Sequence, residues 1–329
     1  MRRRDLMALI GSTAVSWPLG AHAQQRAMPL VGVLNMFSRP PAPWEPGQGP
    51  VADGLREAGY IAGQNVTFEY RFAERHYDLL PTLAADLVAQ KVDVIVAIYG
   101  TPPALAAKSA TSTIPIVFTG VGDPIGIGLV TSLARPGGNL TGFTNITTEL
   151  MPKRVDLLSQ VVPQASVIAL LVNPSNANAE GVIRYTQEAA RTKGMQLSVL
   201  KAGTEGEIDA AFAALDQLHA SGLVVDPDSW LSSRGEQVVA LVSRHAVPAI
   251  YGFQEAVAAG GLISYGIDDM AERRQAGIYA GRILKGANPA DLPVQQPIKF
   301  ELKINLKTAK SLGLSIPTLL LAQADEVIE

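Results

Sequence analysis

The chain has no cysteine, which removes disulfides, thiolate nucleophiles and cysteine-ligated metals together. Histidine is scarce, with four among 329 residues. His22 falls in a stretch read below as cleaved; His219 and His245 lie in helical stretches and His76 in a polar one, none beside a nucleophile or metal partner. A G-x-S-x-G elbow, a Walker loop and an H-E-x-x-H pair are all missing. Gly120-Val121-Gly122 is too short for a dinucleotide fingerprint, which needs a third glycine opening a helix. No basic cluster follows Arg4 and the net charge is −3, so nucleic acid is not an expected partner. The expectation is a protein without catalytic residues, bound metal or cofactor.

Hydrophobic residues make up 47% of the chain and charged ones 17%, which suits well-packed globular domains and not disorder. The length allows about two domains. Arg2-Arg3-Arg4 precede a modestly apolar run from Leu6 to Val15, too short to span a bilayer, and Ala21-His22-Ala23 forms a small-x-small cleavage site. Residues 1–23 therefore read as a signal peptide, with Gln24 opening the mature chain. Arg3-Arg4-Asp5-Leu6-Met7 fits a twin-arginine signal loosely, and an ordinary Sec signal fits as well. With no cysteine at the cleavage site no lipid is attached there, so a soluble periplasmic protein is expected.

Ile114 to Asn145 organises the rest. Ile114, Ile116, Val117 and Phe118 read as a buried strand ending in Thr119-Gly120-Val121-Gly122-Asp123-Pro124, where glycines admit a ligand to the backbone and Thr119 and Asp123 supply a hydroxyl and an anion. Around it, strands at Leu30–Leu34, Val66–Tyr70 and Val92–Ile98 alternate with helices near Val51–Ala58, Leu80–Leu87 and Ala104–Ala110, the last with Thr101 at the N-cap position. The pattern restarts after a Glu149–Val161 helix. Strands at Val167–Val172, Gln196–Leu200, Leu223–Val225 and Pro248–Tyr251 alternate with helices, the clearest carrying Ile208, Phe212, Leu215 and Leu218. A tail follows with strands at Leu262–Tyr265 and Ile298–Ile304 and helices at Ala271–Leu284 and Lys307–Leu312. The fold expected is α/β, with two doubly wound parallel-sheet lobes joined by a multi-crossing hinge. Residues 28–145 plus 261–288 are assigned to the first lobe, and 146–260 plus 289–329 to the second.

Several stretches carry a family resemblance: MRRRDLMALIGSTA, IPIVFTGVGDPIGIGLVTSLARPGGNLTGFT, VIALLVNPSNANAE, HAVPAIYGFQEAVAAGGLISYG and GRILKGANPADLPVQQPIKFELKINLKTAKSLGL. Across nearly the whole chain the sequence resembles ABC-transporter substrate-binding proteins related to the tryptophan- and tyrosine-binding solute receptors. The resemblance implies a type I periplasmic binding fold, a Venus flytrap. It also implies capture of a small solute between two lobes and delivery to a membrane permease, with amino acids or aromatic and branched acids as ligands. The protein is expected to work as a monomer. A periplasmic module that presents its bound form to a membrane receptor or kinase is the alternative.

On such a fold the cleft is lined by strand carboxyl ends. Asn35, Tyr99, Thr101, Thr119, Gly120 and Asp123 would come from the first lobe and Asn173 and Asp226 from the second, with Tyr251 and Tyr265 near the crossings. A carboxylate would take the Thr101 hydroxyl and the N–H groups opening the next helix. An ammonium would take Asp226 or Asp123, and a flat body would stack on Tyr99, Tyr251 or Tyr265. Each has a plainer role open to it. Asp123 and Asp226 precede proline, as turn openers do, Thr101 fits a helix cap, Asn35 and Asn173 fit turns, and the tyrosines fit the core. Trp44 and Trp230 are weaker candidates to cover the cleft.

Overall fold

The computed structural model describes residues 28–329, so the signal sequence expected at 1–23 lies outside the described residues. Strands β1 (Leu30–Asn35), β2 (Thr67–Phe72), β3 (Val94–Ile98), β4 (Ile116–Val121) and β5 (Leu140–Thr144) form a five-stranded sheet in the order β2-β1-β3-β4-β5, with every ladder parallel. Strands β6 (Val167–Val172), β7 (Gln196–Lys201), β8 (Leu223–Val225), β9 (Ala249–Tyr251), β10 (Ile263–Gly266), β11 (Glu301–Asn305) and β12 (Glu326–Ile328) form a seven-stranded sheet, β12-β11-β10-β9-β8-β6-β7. Only β10 and β11 pair antiparallel. This is the two-lobed, doubly wound architecture that the strand–helix alternation implies.

Burial explains the sequence of each strand. Central β3 reads Val-Ile-Val-Ala-Ile and is buried throughout, because helices cover both faces of a parallel sheet. Edge strand β7, Gln-Leu-Ser-Val-Leu-Lys, is exposed at both ends. Among the described residues no helix is long and apolar enough to cross a membrane.

The chain passes between the sheets three times. Residues 145–150 link β5 to the Met151–Val161 helix, 267–268 link β10 to the Asp269–Leu284 helix, and 296–300 lead into β11. The assignment of residues 261–288 to the first lobe meets a difference here. Strand β10 ladders with β9 and β11 in the seven-stranded sheet, because Leu262 and Ile263 complete that sheet's apolar core. Conversely, Gln295 bridges Phe143 beside β5 and Val294 donates to the Leu133 carbonyl at 2.7 Å, which ties 292–295 to the five-stranded sheet.

The Asp269–Leu284 helix is fastened to the first lobe. It lies so close to the Pro50–Glu57 helix that a methyl group at Gly277 would overlap the Val51 carbonyl, and one at Gly54 the Arg274 carbonyl. Only glycine admits that approach. The residues this helix turns toward the interlobe space therefore move with the first lobe.

Candidate functional site

The carboxyl ends of β3, β4 and β5 face the segments after β8 and β9 across a cavity of ≈ 790 Å³, within the usual range for small-molecule sites. Phe37, Tyr99, Thr119 and Gly120 line it from the first lobe, and Asn145 and Thr147 from a crossing. Asp269, Glu272 and Arg273 line it from the helix after β10, and Arg154, Ser229, Arg234, Phe253 and Glu255 from the second lobe.

Tyr99 is the best-defined wall. The β3 strand ends on it in a left-handed conformation, φ 71°, followed by Gly100 at φ 106°. An aromatic residue held there is strained, and such strain gathers at functional positions. The Phe37 ring meets the Tyr99 ring edge-on at 4.4 Å, and the Arg273 guanidinium lies 4.3 Å from its centroid. The twist also places the Tyr99 carbonyl where Ser229 Oγ of the other lobe donates to it at 2.5 Å.

Further hydrogen bonds cross between the lobes, among them one from the Trp230 N–H to Tyr77 Oη at 3.3 Å. Tyr77 Oη donates to Asp228 Oδ2 at 2.5 Å, and Asn178 Nδ2 to Thr101 Oγ1 at 2.7 Å. Asp228 also accepts from Asn173 Nδ2 at 3.0 Å, Asn176 Nδ2 at 2.7 Å and the Leu231 N–H at 3.0 Å. Buried Arg154 ties the 145–150 crossing to strand β10, donating to the Thr147 carbonyl and hydroxyl at 3.1 Å each and to the Tyr265 carbonyl at 3.0 Å.

Charge inside the cavity is unevenly satisfied. Burial, with Asp269 beside it, pushes the Glu272 carboxyl up to about 8, although the Gly120 N–H donates to it at 2.7 Å. Asp269, ringed by protein yet open to the cavity, is raised to about 6 by desolvation; Arg273 opposes the rise while Glu255 and Asp268 add to it. Burial lowers Arg154 to about 10, with Asp226 resisting. Asp226 is held well above the ordinary carboxylate range by desolvation and then by Asp228. Among the described residues none of Arg154, Asp269, Glu272 and Arg273 forms an ion pair. The described residues contain no cluster of potential metal ligands.

Of the ten residues proposed from sequence, Tyr99, Thr119 and Gly120 line the cavity. Asn35 and Asn173 end corresponding strands and make matching turns, accepting from Phe37 N at 2.8 Å and Ser175 N at 3.0 Å. Thr101 does not cap its helix. Gly100 holds that position and the Thr101 hydroxyl faces Asn178, because left-handed Tyr99-Gly100 starts the helix one residue early. Asp123 accepts from Gly126 N at 2.8 Å in its own turn. Asp226 lies buried behind the cavity wall beside Arg154 and Asp228. Tyr251 is buried in the second-lobe core with its hydroxyl unpartnered, and Tyr265 stacks on Phe300 at 5.9 Å. Trp230 is buried in the same core as Tyr251, and Trp44 packs edge-on against Tyr70 and Phe72 on β2.

Sequence reasoning missed Phe37, Arg154, Ser229 and the triplet Asp269, Glu272 and Arg273. Acidic residues opening a helix read as ordinary first-turn charges. The signal available was Gly277 and Gly281 in the same helix, which mark a face pressed on another helix and so fix which way the charges turn.

The sequence profile of the ABC transporter substrate binding protein family matches residues 31–328. A "Tyrosine-binding protein" of Clostridioides difficile (strain R20291) is 30% identical over 260 residues, covering 79% of this chain and 74% of that protein. Among solved structures, a conserved domain protein from Vibrio cholerae O1 biovar El Tor is 30% identical with a TM-score of 0.83, covering 91% of this chain and 99% of that one. The ABC domain of a Streptococcus pneumoniae protein in complex with L-Trp is 28% identical with a TM-score of 0.80, covering 91% and 100%. The ligand-free, open structure of a Clostridium difficile substrate-binding protein with adhesive properties is 25% identical with a TM-score of 0.62, covering 91% and 99%.

Proposed function

The chain belongs to the ABC transporter substrate-binding protein family, and on that premise we propose that it is the receptor of an importer. It captures an amino acid, or a related aromatic or branched acid, between its lobes in the periplasm and delivers it to a membrane permease. The observation that carries this reading is the ≈ 790 Å³ cavity built from both lobes at once, beside hydrogen bonds that form only when the lobes meet. Such a site forms on closure, and closure follows from a solute's better contacts with the closed state. Higher likeness to the L-Trp complex than to the open, ligand-free receptor favours a closed arrangement.

The test is a thermal-shift screen of the purified protein against L-amino acids and their deaminated acids. A solute at a hundred times its Kd adds about 2.7 kcal/mol of stability. A clear rise in Tm with one narrow group of solutes, recovered chemically unchanged, is expected. Conversion of a solute into a product would falsify the receptor reading.

A further inference from the structure

From the inner face of the Asp269–Leu284 helix we infer that the charged head of the solute is an α-amino-acid zwitterion held by three side chains, its ammonium between Asp269 and Glu272 and its carboxylate on Arg273. This rests on the receptor reading and adds the groups that recognise the solute.

Asp269, Glu272 and Arg273 are spaced i, i+3 and i+4, so they share one face of a helix turn, and all three line the cavity. Arg273 is only 8% exposed. Among the described residues its guanidinium takes part in no hydrogen bond or ion pair, and it lies over the Tyr99 ring, 4.3 Å from the centroid. A buried, unserved guanidinium aimed into a cavity calls for an anion. Beside it, Asp269 has no side-chain hydrogen bond among the described residues, and Glu272 takes a single one, from the Gly120 N–H at 2.7 Å. Asp269 is exposed to the cavity and Glu272 half-buried beside it, so the two carboxylates stand where a cation entering the cavity would meet them. A simple carboxylic acid would leave both uncompensated, and a simple amine would leave Arg273 so. An α-amino acid carries both charges about one residue's breadth apart, which matches charges set on one helix turn. The glycine contact with the Pro50–Glu57 helix holds that turn rigidly on the first lobe, as a recognition element requires.

The charged and titratable groups facing this triplet are Asp268 on the same helix, Glu255 in the short helix after β9, and Tyr99 after β3. An arriving ammonium favours the ionised form of Glu272, so binding at neutral pH releases protons to the buffer.

The test is calorimetry on the purified protein with L-tryptophan and L-tyrosine, each beside its deaminated acid (indole-3-propionate, 4-hydroxyphenylpropionate) and its decarboxylated amine (tryptamine, tyramine). Loss of one charge partner at a buried site costs on the order of 100-fold in affinity. Both truncated forms are therefore expected to bind about 100-fold more weakly than the amino acid. Glu272→Gln is expected to weaken the amino acid and spare the deaminated acid, and Arg273→Lys to retain more affinity than Arg273→Met. A helix role alone would make the Gln variant weaken both ligands equally. Equal affinity for an amino acid and its deaminated acid overturns the head-group assignment and leaves solute capture standing. If no member of the panel binds, the assignment also falls. Capture itself then depends on whether any other solute in the thermal-shift screen raises Tm.

Discussion

Two pairs of carboxylates lie near the junction of the lobes, Asp226 and Asp228 buried behind the cavity wall and Asp269 and Glu272 lining it, and the protein serves them very differently. Asp228 in the first pair accepts four hydrogen bonds, one from Tyr77 of the opposite lobe; its neighbour Asp226 is buried and held above the ordinary carboxylate range. In the second pair, Glu272 accepts one backbone N–H and Asp269 none among the described residues. Asp228, in the first pair, has what it needs once the lobes touch, so it is a latch. The second still lacks a cation, so it is where a solute is recognised. Carboxylates a few residues apart in sequence can thus do opposite work, and the donors around them decide which.

The largest expected effect falls on Asp228, the saturated member of the first pair. Asp228→Ala would leave two asparagine amides, the Tyr77 hydroxyl and the Leu231 N–H without their acceptor, at a cost of about 3 kcal/mol. Urea unfolding measures it, and a loss below about 1 kcal/mol would mean that Asp228 is not the keystone described. Next is the footing of the unsaturated pair. Gly277→Ala forces a methyl group onto the Val51 carbonyl, and overpacking of this kind costs about 2 kcal/mol. The same variant should weaken solute binding, since Asp269 and Glu272 shift with their helix; unchanged affinity would separate the helix from recognition.

The comparison also predicts opposite responses to pH and to the latch tyrosine. An ammonium bound at the second pair must first drive off the Glu272 proton, which is lost near pH 8 in the solute-free protein. Glu272 is raised before binding and lowered after it, so affinity for a cationic head is full above about pH 8. It falls by up to about tenfold, or 1.4 kcal/mol, for each unit below, with Asp269 adding its share below about pH 6. Calorimetry at pH 6, 7 and 8 reads this directly, and a flat profile contradicts it. Tyr77→Phe removes the interlobe hydrogen bond to Asp228, worth about 1 kcal/mol, and the longer one accepted from the Trp230 N–H at 3.3 Å. It should weaken every solute by the same few-fold factor whatever its head group, where Glu272→Gln discriminates. A head-group-dependent loss in Tyr77→Phe would erase the distinction between latch and site.

How much of this was legible in the sequence follows from where free energy is local. Strands such as Val94–Ile98 are readable because a buried parallel strand admits little but apolar residues. The matching positions of Asn35 and Asn173 were readable, but the sequence points both at the cleft, and in the structure each accepts from the backbone N–H two residues on. The rule that ligands gather at strand carboxyl ends found Tyr99, Thr119 and Gly120. It went no further in the second lobe, where the Ser229–Ser233 helix and its Asp228 cap cover the end of β8. Nor could the sequence reveal that the tail helix would dock on the Pro50–Glu57 helix, more than 200 residues earlier in the chain (Arg274 pairs with Glu57, |i−j| = 217). That docking alone turns Asp269, Glu272 and Arg273 toward the cleft.

On this reading the lobes close around an ammonium-bearing solute. Small-angle scattering of the protein, titrated with whichever amino acid raises its melting temperature most, tests this most directly. The radius of gyration is expected to fall as the site fills and to stay unchanged with the deaminated acid at the same concentration. A radius that does not change while calorimetry reports the amino acid bound would contradict it.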